Sequence, residues 1–276
     1  MLVCGLTLTL LVPAASEAVT TAGPLWTGVP FRAKNPGPVS DPGSAPWTAS
    51  GCAGNGYSLV DRPDGTGVFE LHQGDRPSGA VGGDRCQLSI LDPYVIGLPA
   101  TPNPESRWYR FDVAVPSDHP WISGAYYQTL VEWHGSVAGQ SALKVAITGG
   151  DQLELTTIEK VLGVDGRQEH WDVHPLAPGS WHSYVVELLT SPDPTVGYFR
   201  LYRDGRCRTC GDPRADAQGR VWRRTARTSS TGQVDKNSFT IGYYRDKTIT
   251  VPTTSIYRNV KIGRNLADVY RRRRME

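Results

Sequence analysis

From Gly56 onward, apolar and polar residues alternate in short runs, with Asp-Gly and Pro-Asp turns between them. The runs are Gly67–Leu71, Gln87–Leu91, Trp108–Val115, Tyr126–His134, Ala142–Thr148, Gln152–Thr156, Ser183–Leu189, Tyr198–Tyr202, Phe239–Tyr244 and Ser255–Ile262. A period of two places alternate side chains on opposite faces of a strand. Regular short strands of this kind predict an all-β sandwich of two antiparallel sheets, in the order of a β-jelly-roll with one concave face. Helical periodicity of useful length is absent, and no internal repeat or Gly-rich phosphate loop is present. At 276 residues the chain suits one all-β domain, a class that reaches about 250 residues without splitting. That domain is expected over residues 51–270, after a lead-in rich in Pro, Gly, Ser and Thr at 19–50 and before a basic tail at 271–276.

One run carries more than packing information. In Tyr127-Gln-Thr-Leu-Val-Glu-Trp-His-Gly135, strict alternation puts Gln128, Leu130, Glu132 and His134 on one face and Val131 and Trp133 on the other. The second face suits a core. The first ends in a carboxyl group next to an imidazole, a pairing equipped to move a proton. Two other runs, Arg85-Cys-Gln-Leu88 and Ile241-Gly-Tyr-Tyr-Arg245, carry polar groups that could stand beside it.

Composition narrows the setting. Residues 1–18 combine an apolar stretch, Leu6–Val12, with small residues at Ala14–Ala18, the pattern of an export signal, so a secreted protein is expected. Cys4 would leave with that signal. Cys52, Cys86, Cys207 and Cys210 then remain, an even set that fits two disulfides in an exported chain. Cys207 pairs with Cys210 across a short turn and Cys52 with Cys86 by elimination. No apolar window of about 18 residues follows the N-terminus, so no membrane span is expected. A formal charge of +2 gives no reason to expect nucleic acid. Most of the positive charge is arginine, whose planar fork suits carboxylate or sulfate groups.

The order of these pieces resembles the jelly-roll polysaccharide lyases of the heparin lyase I-like and glucuronan lyase-like group. The resemblance runs from about Val68 to Gly263. It rests on Phe69-Glu-Leu71, Arg85-Cys-Gln-Leu88, Trp108–Pro116, Glu132-Trp-His-Gly135, Gly179-Ser-Trp-His182, Leu201-Tyr-Arg-Asp-Gly205 and Ile241–Arg245. It implies a concanavalin-like β-jelly-roll, an anionic polysaccharide substrate, a monomer, and β-elimination without a cofactor. A structural Ca²⁺ occurs in such folds, but no run of Asp or Asn ligands marks one here. Carried over by position, His134 is the candidate base and Tyr244 the candidate acid, or the acid and base together. Arg85 and Gln87 would neutralise the uronate carboxylate, with Glu132, Gln128, Thr240 and Arg245 in substrate binding.

Three positions depart from the family pattern. Its Arg-x-Glu reads Arg85-Cys-Gln87, its Gln-x-His reads Glu132-Trp-His134, and its Lys four residues before the catalytic Tyr is Thr240. The first two changes look like an exchange, which predicts that Gln87 and Glu132 lie side by side. Loss of the Lys favours an unsulfated polyuronate such as glucuronan over heparin. A non-catalytic carbohydrate-binding module on the same fold is the alternative. Glycoside hydrolysis, which needs two carboxylates across the scissile bond, ranks last.

Overall fold

The computed structural model describes residues 26–28, 47–50, 59–61, 65–75, 82–90, 106–122, 127–134, 141–149, 151–158, 168–225 and 238–270. The expected export signal, Cys52 and the basic tail lie outside them. In chain order the strands begin with β1 (Trp26–Gly28), β2 (Trp47–Ser50), β3 (Leu59–Asp61), β4 (Gly67–Leu71), β5 (Asp84–Ile90) and β6 (Arg107–Ala114). Next come β7 (Gln128–His134), β8 (Leu143–Thr148), β9 (Gln152–Ile158), β10 (Gln168–Pro175) and β11 (His182–Leu189). The series closes with β12 (Tyr198–Arg203), β13 (Arg206–Cys207), β14 (Val221–Trp222), β15 (Ser238–Arg245), β16 (Thr253–Gly263) and a short helix α1 (Leu266–Tyr270).

Two antiparallel sheets result. The first runs β13-β12-β11-β6-β16-β4-β3, with β1 added to β16 and β14 to β12. The second runs β10-β9-β8-β7-β15-β5-β2. Strands far apart in sequence, β5, β7 and β15, are thereby neighbours. Within the lead-in, Trp26–Gly28 and Trp47–Ser50 pair with β16 and β5. β10 escaped the alternation pattern because a bulge between Trp171 and His174 breaks its register.

The inward faces close on one core. Tyr109 and Phe111 of the first sheet meet Trp133 and Phe239 of the second, with the Tyr109 ring 5.3 Å from Trp133 and 5.0 Å from Phe239. Burying each such side chain contributes about 1.5–3 kcal/mol. Tyr243 is fully buried, as its alternation with Tyr244 predicts. Cys207 and Cys210 form the expected disulfide; Cys86 is also disulfide-bonded.

A second bulge shapes the polar face of the second sheet. Pairing of β15 with β7 slips between Ile241 and Tyr244, and pairing of β7 with β8 slips between Thr129 and Val131. Tyr257 of β16 reaches through the core and places its hydroxyl 2.7 Å from both the Leu130 and Gly242 carbonyl oxygens. It thereby offers a donor to carbonyls at the bulge.

Candidate active site

Register sets the polar face. On β5 and β15, Arg85 lies opposite Tyr244, Gln87 opposite Gly242 and Ser89 opposite Thr240. On the other side of β15, Thr240 lies opposite Glu132 and Ser238 opposite His134. Their alternates Cys86, Leu88, Ile241, Tyr243, Val131 and Trp133 belong to the core. Gln87 and Glu132 are therefore separated by β15, yet Gln87 Nε2 donates to Glu132 Oε1 at 2.7 Å. They meet because the residue between them is Gly242, at φ +127°, where a Cβ would stand 2.3 Å from the Cys86 carbonyl oxygen. Such backbone is open to glycine and strained for other residues. The second Glu132 oxygen accepts from Ser141 Oγ, so a carboxylate only 6% exposed is held at both ends.

At one end of this face stands Tyr244. The Arg85 guanidinium carbon lies 4.8 Å from its ring centroid, within cation–π range. The Gly83 N–H and the Tyr127 hydroxyl each lie 3.4 Å from Tyr244 Oη. Burial, then the contact with Tyr244, pushes the Tyr127 phenol well above its ordinary range, so Tyr127 stays a neutral donor. A Cβ on Gly82 would lie 2.7 Å from Arg85 Nη2 and 2.9 Å from Tyr244 Oη, so its absence makes room for both side chains.

At the other end, Thr240 Oγ1 lies 2.9 Å from Ser89 Oγ and 3.4 Å from Ser238 Oγ, which also donates to the His134 carbonyl. His134 is partly exposed. The register does not bring it to the row of Tyr244: Ser238, its partner, lies roughly 20 Å of extended strand from Tyr244.

Two expected substrate-binding residues belong elsewhere. Strict alternation put Gln128 on the face of Glu132, but the bulge near Leu130 reverses the parity of β7. Gln128 is 1% exposed and accepts from the buried Tyr243 hydroxyl at 2.6 Å. Arg245, its partner in register, is fully buried, 3.5 Å from Asp84, and donates to Thr253 Oγ1 at 3.1 Å and to the Val251 carbonyl. Leu130 likewise packs in the core. A one-residue bulge is invisible to a period-two reading.

Three residues of the polar face carry no motif. Lys144 of β8 lies opposite Glu132. Burial holds its ammonium below the ordinary lysine range, partly offset by Glu132 and then Glu154. Glu154 of β9, 1% exposed, pairs with His170 Nδ1 at 2.8 Å. Only their parity on β8, β9 and β10, beside the Glu-Trp-His strand, marked them. His182 is buried with its ring 4.9 Å from His174. Among the described residues, no group of three or more His, Cys, Asp or Glu side chains gathers to hold a metal ion.

Several solved structures are distantly similar to this chain. Alginate lyase A1-II′, a member of polysaccharide lyase family 7, is 15% identical over 75% of this chain and 79% of its own, with a TM-score of 0.44. Alginate lyase PA1167 from Pseudomonas aeruginosa is 12% identical over 77% of this chain and 87% of its own, with a TM-score of 0.48. An alginate lyase from Alteromonas sp. 272 is 10% identical over 78% and 92%, at 0.46. Similarity at this level says nothing of substrate. No curated protein matches the sequence. The polysaccharide lyase family model matches residues 55–260, a span that contains β5, β7 and β15 entire, and the chain belongs to that family.

Proposed function

We propose that this chain is an exported lyase that cleaves an unsulfated polyuronate, glucuronan on our reading, by β-elimination. The observation that carries the reading is Tyr244, set against Arg85 on the face that also holds Gln87, Glu132 and His134. The C5 proton of a uronate is a poor acid because the adjacent carboxylate is already negative. An enzyme must neutralise that charge, remove the proton and protonate the departing O4.

Arg85 grips the carboxylate with its fork. Tyr244 Oη, entering as the phenolate, takes the C5 proton; the C4–C5 double bond forms as the C4–O4 bond breaks; the phenol so formed gives that proton to O4 and is a phenolate again. One residue serves both steps because His134 stands in a different row, and the elimination is syn. His134 then binds a sugar further along the polymer. The Gly83 N–H and Tyr127 hydroxyl face Oη and stabilise negative charge there during transfer. Thr240, in place of a lysine, leaves no cation for a sulfate at that position. The leader-like residues 1–18 and the Cys207–Cys210 disulfide support an oxidising, extracellular setting.

The test is incubation with glucuronan, heparin, heparan sulfate, alginate and pectate, following ultraviolet absorbance of the unsaturated uronate. A rise with glucuronan is expected, abolished in Tyr244→Phe and diminished in His134→Ala. No rise with any polymer overturns the lyase reading and leaves a carbohydrate-binding module on the same fold.

A further inference from the structure

Glu132 poses a problem for an anionic substrate. A carboxylate on the face that must receive a polyuronate repels it, and the lysine that would compensate on β15 is Thr240. The row through these residues continues on the next strand. Thr240 lies opposite Glu132, and Glu132 lies opposite Lys144.

We propose that Lys144 binds a substrate carboxylate, so that β8 supplies the cation that β15 omits. The inference rests on the polyuronate reading above.

Both flanking carboxylates are engaged elsewhere. Glu132 is held by Gln87 and Ser141, and Glu154 Oε2 by His170. No hydrogen bond or ion pair engages Lys144 Nζ among the described residues, and the side chain keeps partial exposure. Its stem is desolvated, which strengthens any charge contact the ammonium makes. Glu132 and then Glu154 offset part of the burial that lowers its pKa. Lys144 and Arg85 stand on different rows, three strands apart in the order β5-β15-β7-β8. At about 4.8 Å per strand the two cations serve different sugars of one chain. Arg85 acts at the sugar that reacts; Lys144 reads the charge of another and selects for a polymer acidic at successive units.

The test compares wild type, Lys144→Met and Lys144→Arg on glucuronan as free acid and as methyl ester, by turnover and by direct binding. An ester carries no charge for Lys144 to meet. A charge-assisted contact predicts that Lys144→Met raises KM and Kd for the free acid about tenfold or more, with kcat nearly held. The ester-to-acid ratio of kcat/KM rises by the same factor, and Lys144→Arg recovers most of the loss. Equal losses on acid and ester, or loss of the folded state shown by thermal melting in both variants, assign Lys144 a structural role and overturn the proposal. No change in either polymer overturns it too. If wild type binds glucuronan but forms no unsaturated product, the elimination reading fails, and the acid-to-ester ratio of Kd decides the role of Lys144. If it binds neither form, both readings fall.

Discussion

Gln87 donates its carboxamide to Glu132 at 2.7 Å across the bare backbone of Gly242. The two residues occupy each other's places relative to the family pattern, and both are nearly buried, at 4% and 6% exposure. Gln87→Glu sets a second carboxylate against the first. Like charges in contact raise a carboxyl pKa above its unfolded value. The variant is therefore most stable below that value and loses stability as pH rises through the folded one. At neutral pH we expect a cost of about 1–3 kcal/mol and loss of turnover. Glu132→Gln added to it restores both. Thermal melts and lyase assays of the four-member cycle check this; a double variant no better than Gln87→Glu would end the exchange idea.

Neighbouring glycines separate activity from stability. A Cβ on Gly82 meets only the movable ends of Arg85 and Tyr244, whereas a Cβ on Gly83 would stand 1.8 Å from the Arg245 carbonyl oxygen. Gly82→Ala should melt within about 0.5 kcal/mol of wild type while kcat/KM falls at least tenfold as Tyr244 is displaced. Gly83→Ala should lose about 2 kcal/mol or more, because backbone cannot step aside. Reversal of that order in paired melting and kinetic measurements would refute the placement of Tyr244.

How much of this could be read from the sequence follows from the physics of each feature. Alternation is local, so β4 to β9, β11, β12, β15 and β16 were legible to within a few residues, and with them the faces of Glu132, His134 and Tyr244. The Gln87–Glu132 contact was legible because two motif departures complemented each other. Gln128 and Arg245 were misplaced because parity holds only while register holds, and the bulge at Leu130 meets the Tyr257 hydroxyl, far away in sequence. Lys144, Glu154 and His170 each look like an ordinary polar alternate; only strand order brings them to one face.

Tyr257 is expected to support that bulge. Its hydroxyl serves the Leu130 and Gly242 carbonyl oxygens from the opposite sheet, where water has no access. Tyr257→Phe leaves the carbonyls without this donor and should cost about 1–3 kcal/mol. The ring stays, including its edge contact with Phe69 at 5.2 Å, so the core volume is kept. The bulge aims Tyr244, so kcat should fall with the stability. Denaturant melts and kinetics of this variant test the link; full stability would show that the carbonyls need no such partner.

Acid should weaken the fold well before the lowered carboxylates, such as Asp216, protonate. Burial is the leading cause that lowers the pKa of His119, His174 and His182, taking His119 to about 4. His174 and His182 also face each other, 4.9 Å apart, so protonating one opposes the other. A base whose folded pKa lies below its unfolded one supplies stability above the unfolded value, about 6.5 for histidine. As pH falls below it, the unfolded chain takes up protons that the folded chain refuses, and stability declines until His119 protonates near 4. The lowered carboxylates, such as Asp216 at about 2, act at lower pH, so the two effects fall in separate windows. Melting temperature should therefore drop between pH 7 and pH 4.5, and His119→Gln and His182→Gln should each flatten that slope. Identical slopes in wild type and both variants would place the acid sensitivity in other groups.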